Sequence, residues 1–145
     1  MIYPLLITFF YLIVPEGQTP SPPIAGHWTI VDDKGRETSV VEITESNGEY
    51  TATVVKLLPE ATLLRCEACP GETKGKALEG MAIFWGLKPY KDHYDYGKIL
   101  DPESGKVYDL KVSRQGDLLE VRGYIGTPLF GRSQYWPRAA DISTE

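Results

Sequence analysis

The chain shows no stretch of helical periodicity, only two cysteines, no excess of basic residues and no apolar run long enough to cross a membrane. Each shortage removes a class of protein. A spanning helix needs about 20 apolar residues, and the longest run here, MIYPLLITFFYLIV at residues 1–14, is shorter and is followed by proline. The formal charge is −5, and residues 24–145, which lose only Glu16 from the acidic side, carry 15 basic against 19 acidic groups. That balance disfavours nucleic acid and anionic membrane surfaces as main partners, because both require a concentrated basic field. Catalytic signatures such as G-x-S-x-G and H-E-x-x-H are missing. DPESGK at residues 101–106 lacks the spacing of a phosphate loop, and Asp-Pro followed by Gly is hairpin-turn chemistry.

Both cysteines, Cys66 and Cys69, fall in CEACPGE. A thioredoxin-type centre opens a helix beside a βαβ unit, where the helix N-terminus lowers the thiol pKa. Here Pro70 and Gly71 follow and the flanks are strand-like. A tetrahedral zinc site needs four ligands, and His27 and His93 are the only histidines available to complete one; haem attachment wants His at position 70, which is proline. A local disulfide clipping a loop is the favoured reading for an exported chain, with a redox centre and a metal site as alternatives. No cofactor and no catalytic set is assigned.

Residues 1–14 fit the hydrophobic segment of a secretory signal, although no Lys or Arg precedes them and no small-x-small cleavage site follows; the alternative is a retained interfacial anchor. Residues 15–23, PEGQTPSPP, hold four prolines in nine positions and read as an extended tether. A folded domain is expected over residues 24–140, with a tail at 141–145 and a periplasmic or secreted location.

From Ile24 the chain alternates β-like runs of period two with turn chemistry: HWTIV, SVVEITE, EYTATVVKL, MAIFWGL, GKIL, KVYDLKV, LLEVRGYI and RSQYW. Asn47-Gly48 is the clearest hairpin signal. Eight strands joined mostly by hairpin-length turns predict an all-β protein, an antiparallel up-and-down barrel, since an open meander would leave its edges unpaired. A two-sheet sandwich is the alternative. Met81, Ile83 and Trp85 alternate with Ala82 and Phe84, so this strand is apolar on both faces and needs a cover outside, which the connection at 58–79 can supply.

An eight-stranded barrel either fills with side chains or holds one small ligand. Candidate ligand contacts are Trp85, Tyr96, Tyr108 and Arg122, aromatic or cationic groups on strands or their ends. Arg122 shares a face with Leu118, Glu120 and Tyr124; pointing inward it would pair with a ligand carboxylate, and otherwise with Glu120 or solvent. The stretch KPYKDHYDY at residues 88–96 reads as a solvated aromatic loop at a barrel mouth. Trp28, on the first strand with Ile30, reads as a plug closing one end of the barrel, with His27 facing the other way. Two rival functions stand beside ligand binding: an enzyme using His93 with Asp95 or Glu120, and an interaction module presenting residues 89–96 to a protein.

At GKILDPESGKVYDL, LEVRGYIGTPLFGRSQYWPR and CEACPGETKGK the sequence closely resembles the exported bacterial family catalogued as domain of unknown function 2147, the likeness running from Gly26 through Arg138. The resemblance implies a lipocalin-like barrel of the calycin group. It also implies two residue roles, Trp28 of Gly-x-Trp on the first strand and Arg138 packing over it, with Arg132 as the fallback. Several relatives carry a cysteine where this chain has Leu110, so within one chain Cys66 and Cys69 have only each other. The expectation is an exported, monomeric barrel that binds a small apolar or amphipathic molecule, without nucleic-acid binding or a stable membrane span.

Overall fold

The computed structural model of the chain describes residues 20–140 and, ahead of them, Pro4, Ile7 and Thr8. Apart from those three positions, the apolar segment 1–14, linker residues 15–19 and the tail 141–145 lie outside the described residues. Eight strands follow one another: β1 (Gly26–Val31), β2 (Glu37–Ser46), β3 (Glu49–Leu57), β4 (Ala82–Tyr90), β5 (His93–Leu100), β6 (Val107–Gln115), β7 (Leu118–Tyr124) and β8 (Gly131–Pro137). They form one sheet in sequence order, every neighbouring pair antiparallel. The sheet curls until β8 meets β1, where the bridge Trp28–Arg138 and the bond from the Ala139 N–H to the His27 carbonyl (3.0 Å) join the seam. This is a nearly closed up-and-down barrel, and the sandwich alternative falls because the eight strands form one sheet.

Asn47 and Gly48 take φ of 52° and 77°, the pair of left-handed residues that a two-residue primed turn demands. A meander places alternate connections at opposite ends. One end carries the connections 32–36, 58–81, 101–106 and 125–130; the other carries the tight turns 47–48, 91–92 and 116–117 together with the start of β1 and the end of β8. The second end is closed. Trp28, Phe84, Tyr94 and Trp136 are fully or almost fully buried and fill it.

The aromatic stretch 88–96 was expected at a mouth; it is the β4–β5 hairpin at the closed end, Tyr90 facing His93. Its polar composition hides two continuous strands, because only Tyr94 and Gly97 of its β5 half turn inward and Tyr96, at φ 65°, forms a bulge between them. The tether expected at 15–23 is docked over its last residues. Tyr94 Oη donates to the Pro22 carbonyl (2.7 Å), Arg114 to the Pro23 carbonyl, Trp28 Nε1 to the Ile24 carbonyl (2.9 Å) and Arg138 to the Ala25 carbonyl (3.1 Å). Proline has no N–H to satisfy, so a run of carbonyls matched by side-chain donors is enough to seat it.

The connection 58–81 covers the outer face of β4, as that strand's two apolar faces require. Cys66 and Cys69 are joined in a disulfide, their Cα atoms 5.4 Å apart, and are buried with Leu78 and Leu100 against Met81 and Trp85. No helix among the described residues is long and apolar enough to cross a membrane.

Candidate functional site

The barrel interior is filled at the closed end and hollow at the other. A cavity of about 630 Å³ opens among the longer connections, within the range of small-molecule sites. Inward residues of successive strands wall it: Val54, Ile83, Ile99, Tyr108, Val121 and, at its floor, Trp136. Trp136 stacks on Phe84, ring centroids 6.2 Å apart, so the floor is a pair of aromatic rings shared with the closed half of the core. Polar contacts tie the floor to the rim. Trp136 Nε1 donates to Gln134 Oε1 (3.0 Å), and Gln134 Nε2 in turn donates to Asp33 Oδ1 (3.3 Å), a thread from floor to rim.

The rim mixes charges of both signs: Asp32, Asp33, Lys34, Arg36, Asp101, Glu103 and Arg132. Asp32 organises the β1–β2 loop by accepting from the Arg36 and Lys34 N–H groups and from Arg36 Nε (2.8 Å). The Arg36 backbone N–H holds its carboxyl below the usual range, and the Arg36 guanidinium adds to that. Asp101 organises the β5–β6 turn by accepting from the Glu103 N–H and Ser104 Oγ.

Of the four candidate ligand contacts Trp85, Tyr96, Tyr108 and Arg122, Tyr108 alone borders this cavity. Trp85 lies on the outer face of β4, half-buried against the disulfide loop, where it borders a second recess of about 640 Å³ with Met81 and Val107. Tyr96 is largely exposed on the outside, ring edge to Tyr90 at 5.5 Å. Arg122 is on the outer face as well: Leu119 and Val121 take the inward positions, while Arg122 donates to the Pro128 carbonyl (2.7 Å) and Ser133 Oγ (3.0 Å), and Ser133 donates to Glu120 (3.0 Å). The inward-pointing reading of Arg122 therefore gives way to an outer-surface bracket on the β7–β8 loop.

His93 and Asp95 share the outside near the closed end. His93 Nδ1 is 3.1 Å from Asp92 and Nε2 is 3.8 Å from Asp95, whose other oxygen accepts from Tyr124 Oη (3.1 Å) and the Tyr96 N–H. The pair does not border the cavity, and Glu120 is engaged elsewhere. Among the described residues no group of three or more His, Cys, Asp and Glu is placed to hold a metal.

At the closed end two guanidiniums lie against Trp28: Arg138 at 4.7 Å from its ring centroid and Arg114 at 5.5 Å. Arg132, the fallback for that position, is at the other end of β8 and exposed. Arg114 carried no signal in the sequence; a β6 arginine beside a turn is indistinguishable from a solvated one until the fold brings it to Trp28.

The profile of an uncharacterized protein conserved in bacteria, DUF2147, matches residues 26–138, from the first residue of β1 to the arginine over Trp28. The chain belongs to the DUF2147 family. Among solved structures, the barrel is similar to protein HP1028 from Helicobacter pylori, described as belonging to the lipocalin family, with a TM-score of 0.73 at 20% identity over 83% of this chain and 86% of that one. At that identity the likeness establishes a lipocalin-like fold. No curated protein sequence is significantly similar to this chain.

Two tyrosines of the DUF2147 barrel give a pH test of this geometry. Burial raises Tyr94 far above its ordinary pKa of 10.0, and burial followed by the Asp95 charge pushes Tyr124 up to about 12. The unfolded chain then loses these protons first as pH rises past 10, so their contribution to stability is complete below that pH and is lost towards the raised values. A spectrophotometric titration is expected to leave Tyr94 and Tyr124 unionised well above pH 10 in folded protein, and Tyr124→Phe to remove one of the late steps.

Proposed function

We propose that this DUF2147 protein is an exported carrier that holds one small, partly apolar molecule in the open half of its barrel, with the apolar part over Trp136 and a polar end at the rim. The observation that carries the reading is the hollow itself. An eight-stranded barrel of this size can close completely on its own side chains, and here the closed end does so while the other end stays open around an apolar wall. The lipocalin-like fold supports the reading. Export is supported by the apolar segment at residues 1–14 and by the disulfide, which suits an oxidising compartment. Tyr108 is the sequence-derived contact retained; its ring and hydroxyl fit an amphipathic guest.

The test is titration with N-phenyl-1-naphthylamine, an apolar fluorescent probe, followed by energy transfer from tryptophan. Saturable binding is expected, weakened at least about tenfold in Val121→Phe, which adds bulk to the wall without removing a hydrogen bond. A small change in melting temperature would accompany it. No saturable binding would end the carrier reading, and binding indifferent to Val121→Phe would relocate the site to the outer recess beside Trp85.

A further inference from the structure

The β7–β8 connection presents its apolar side chains outward. Ile125 is 68%, Leu129 86% and Phe130 78% exposed, three large hydrophobic groups within six residues. Such clusters on a soluble domain mark a binding surface. Their exposure is held in place: the Leu129 N–H is capped by Thr127 Oγ1 (3.1 Å), the Phe130 N–H donates to the Thr127 carbonyl (3.1 Å), and Arg122 fixes the Pro128 carbonyl from below (2.7 Å). Ile125 and Phe130 are at the same time part of the cavity wall, so the patch continues directly into the hollow.

Around it stand the mixed charges of the rim. Lys34 and Arg132 are exposed cations, and Asp33 and Glu103 exposed anions. A rim of both signs is complementary to a headgroup that itself carries a phosphate and an ammonium, and not to a surface of one sign. Both described ends of the chain leave the barrel at the other end, by Ser21 tied to the Lys91 and His93 carbonyls and by Ala139 tied to His27.

We propose that the open end docks on a zwitterionic lipid surface, with Ile125, Leu129 and Phe130 entering the headgroup layer and the cavity mouth turned to the lipid, so that the guest passes between bilayer and barrel without crossing water. The passage of a guest rests on the carrier reading; the docking does not. Apolar side chains seated at the headgroup boundary give reversible attachment of this kind.

The experiment places an environment-sensitive nitrobenzoxadiazole label on the full chain, under non-reducing conditions, at Leu129→Cys or, at the closed end, at Ser46→Cys. On adding phosphatidylcholine vesicles, the label at position 129 is expected to brighten at least about threefold and shift to the blue, while that at position 46 does not change. A response at position 46 and none at 129 would mean that the N-terminal apolar segment holds the protein with its mouth away from the lipid, and would overturn the proposal. So would no response at either position, a response only to vesicles rich in anionic phosphatidylglycerol, or brightening at 129 with protein concentration alone, which would assign the patch to a second copy of the chain. Naphthylamine binding is measured without vesicles on the unlabelled chain. A protein that docks in the expected orientation and takes no probe refutes the carrier reading and leaves the docking supported.

Discussion

Trp28→Ala is expected to lower stability by about 4 kcal/mol, read as a fall of roughly 15 °C in melting temperature. Three effects add at this position. The ring is fully buried in the closed half of the core, and removing it leaves a cavity that the surrounding strands cannot close, because β1 and β8 are joined there by little more than the Trp28–Arg138 bridge. The Ile24 carbonyl loses its donor while remaining buried. Two guanidiniums, of Arg114 and Arg138, lose the ring they lie against and with it the orientation that lets them hold the Pro23 and Ala25 carbonyls. Trp28→Phe separates these effects. It keeps an aromatic face for both arginines and is expected to cost about 1–3 kcal/mol, the share of the orphaned carbonyl and the smaller ring. Equal losses in the two variants would show that the ring and its contacts with the two arginines contribute nothing beyond the hydrogen bond.

The fold was legible because its determinants are local. Period-two alternation and turn residues with left-handed backbone, as at Asn47-Gly48, specify strands and hairpins without reference to distant residues. Eight strands in succession then leave few arrangements other than closure. Where local pattern fails, the strand is interrupted. Along β4 the register shifts at Ile83, so that Ile83 and Phe84 both reach the core, and Gly86, at φ 67°, resets the alternation for Leu87. Along β5 the bulge at Tyr96 does the same. A bulge adds one residue to one strand, which reverses inside and outside from that point onward, and nothing in the composition of HYDYG announces it.

The site was less legible than the fold for the same reason. LLEVRGY offers Leu118, Glu120, Arg122 and Tyr124 on one face and Leu119, Val121 and Gly123 on the other, and leucine on both faces leaves the parity open. Pairing with β8 decides it: Leu119 faces Trp136 and Val121 faces Gln134, which turns Arg122 outward. Trp85 and Phe84 pose the same choice with two aromatics, and it is the disulfide loop folding over Trp85 that sends Phe84 inside. Tyr108 borders the cavity because no bulge lies between it and the inward Leu110 and Val112.

Gly105→Ala is expected to release the disulfide loop. Gly105 has φ +72°, and a Cβ built there would stand 2.0 Å from the Ala68 carbonyl oxygen and 2.6 Å from its carbon, backbone atoms in the middle of the Cys66–Cys69 clip. No rotamer change relieves a conflict with backbone, so either the β5–β6 turn or the clip must withdraw. Gly116, with φ +61° and open space where its Cβ would be, provides the control: Gly116→Ala carries the left-handed strain alone, about 1 kcal/mol. The loss in Gly105→Ala is expected to exceed that by about 2 kcal/mol or more, because the buried cluster of Cys66, Cys69, Leu78 and Leu100 opens with the clip. Exposure of the sulfurs gives a second readout, since thiol–disulfide exchange requires access: dithiothreitol should reduce the Gly105→Ala disulfide at least about tenfold faster than that of Gly116→Ala. Ala61, Leu63 and Pro102 border the cavity, so the same undocking should also weaken naphthylamine binding. Wild-type rates of reduction in Gly105→Ala would mean that the turn, not the clip, gives way, and that the disulfide loop is held chiefly by its apolar seat on Trp85.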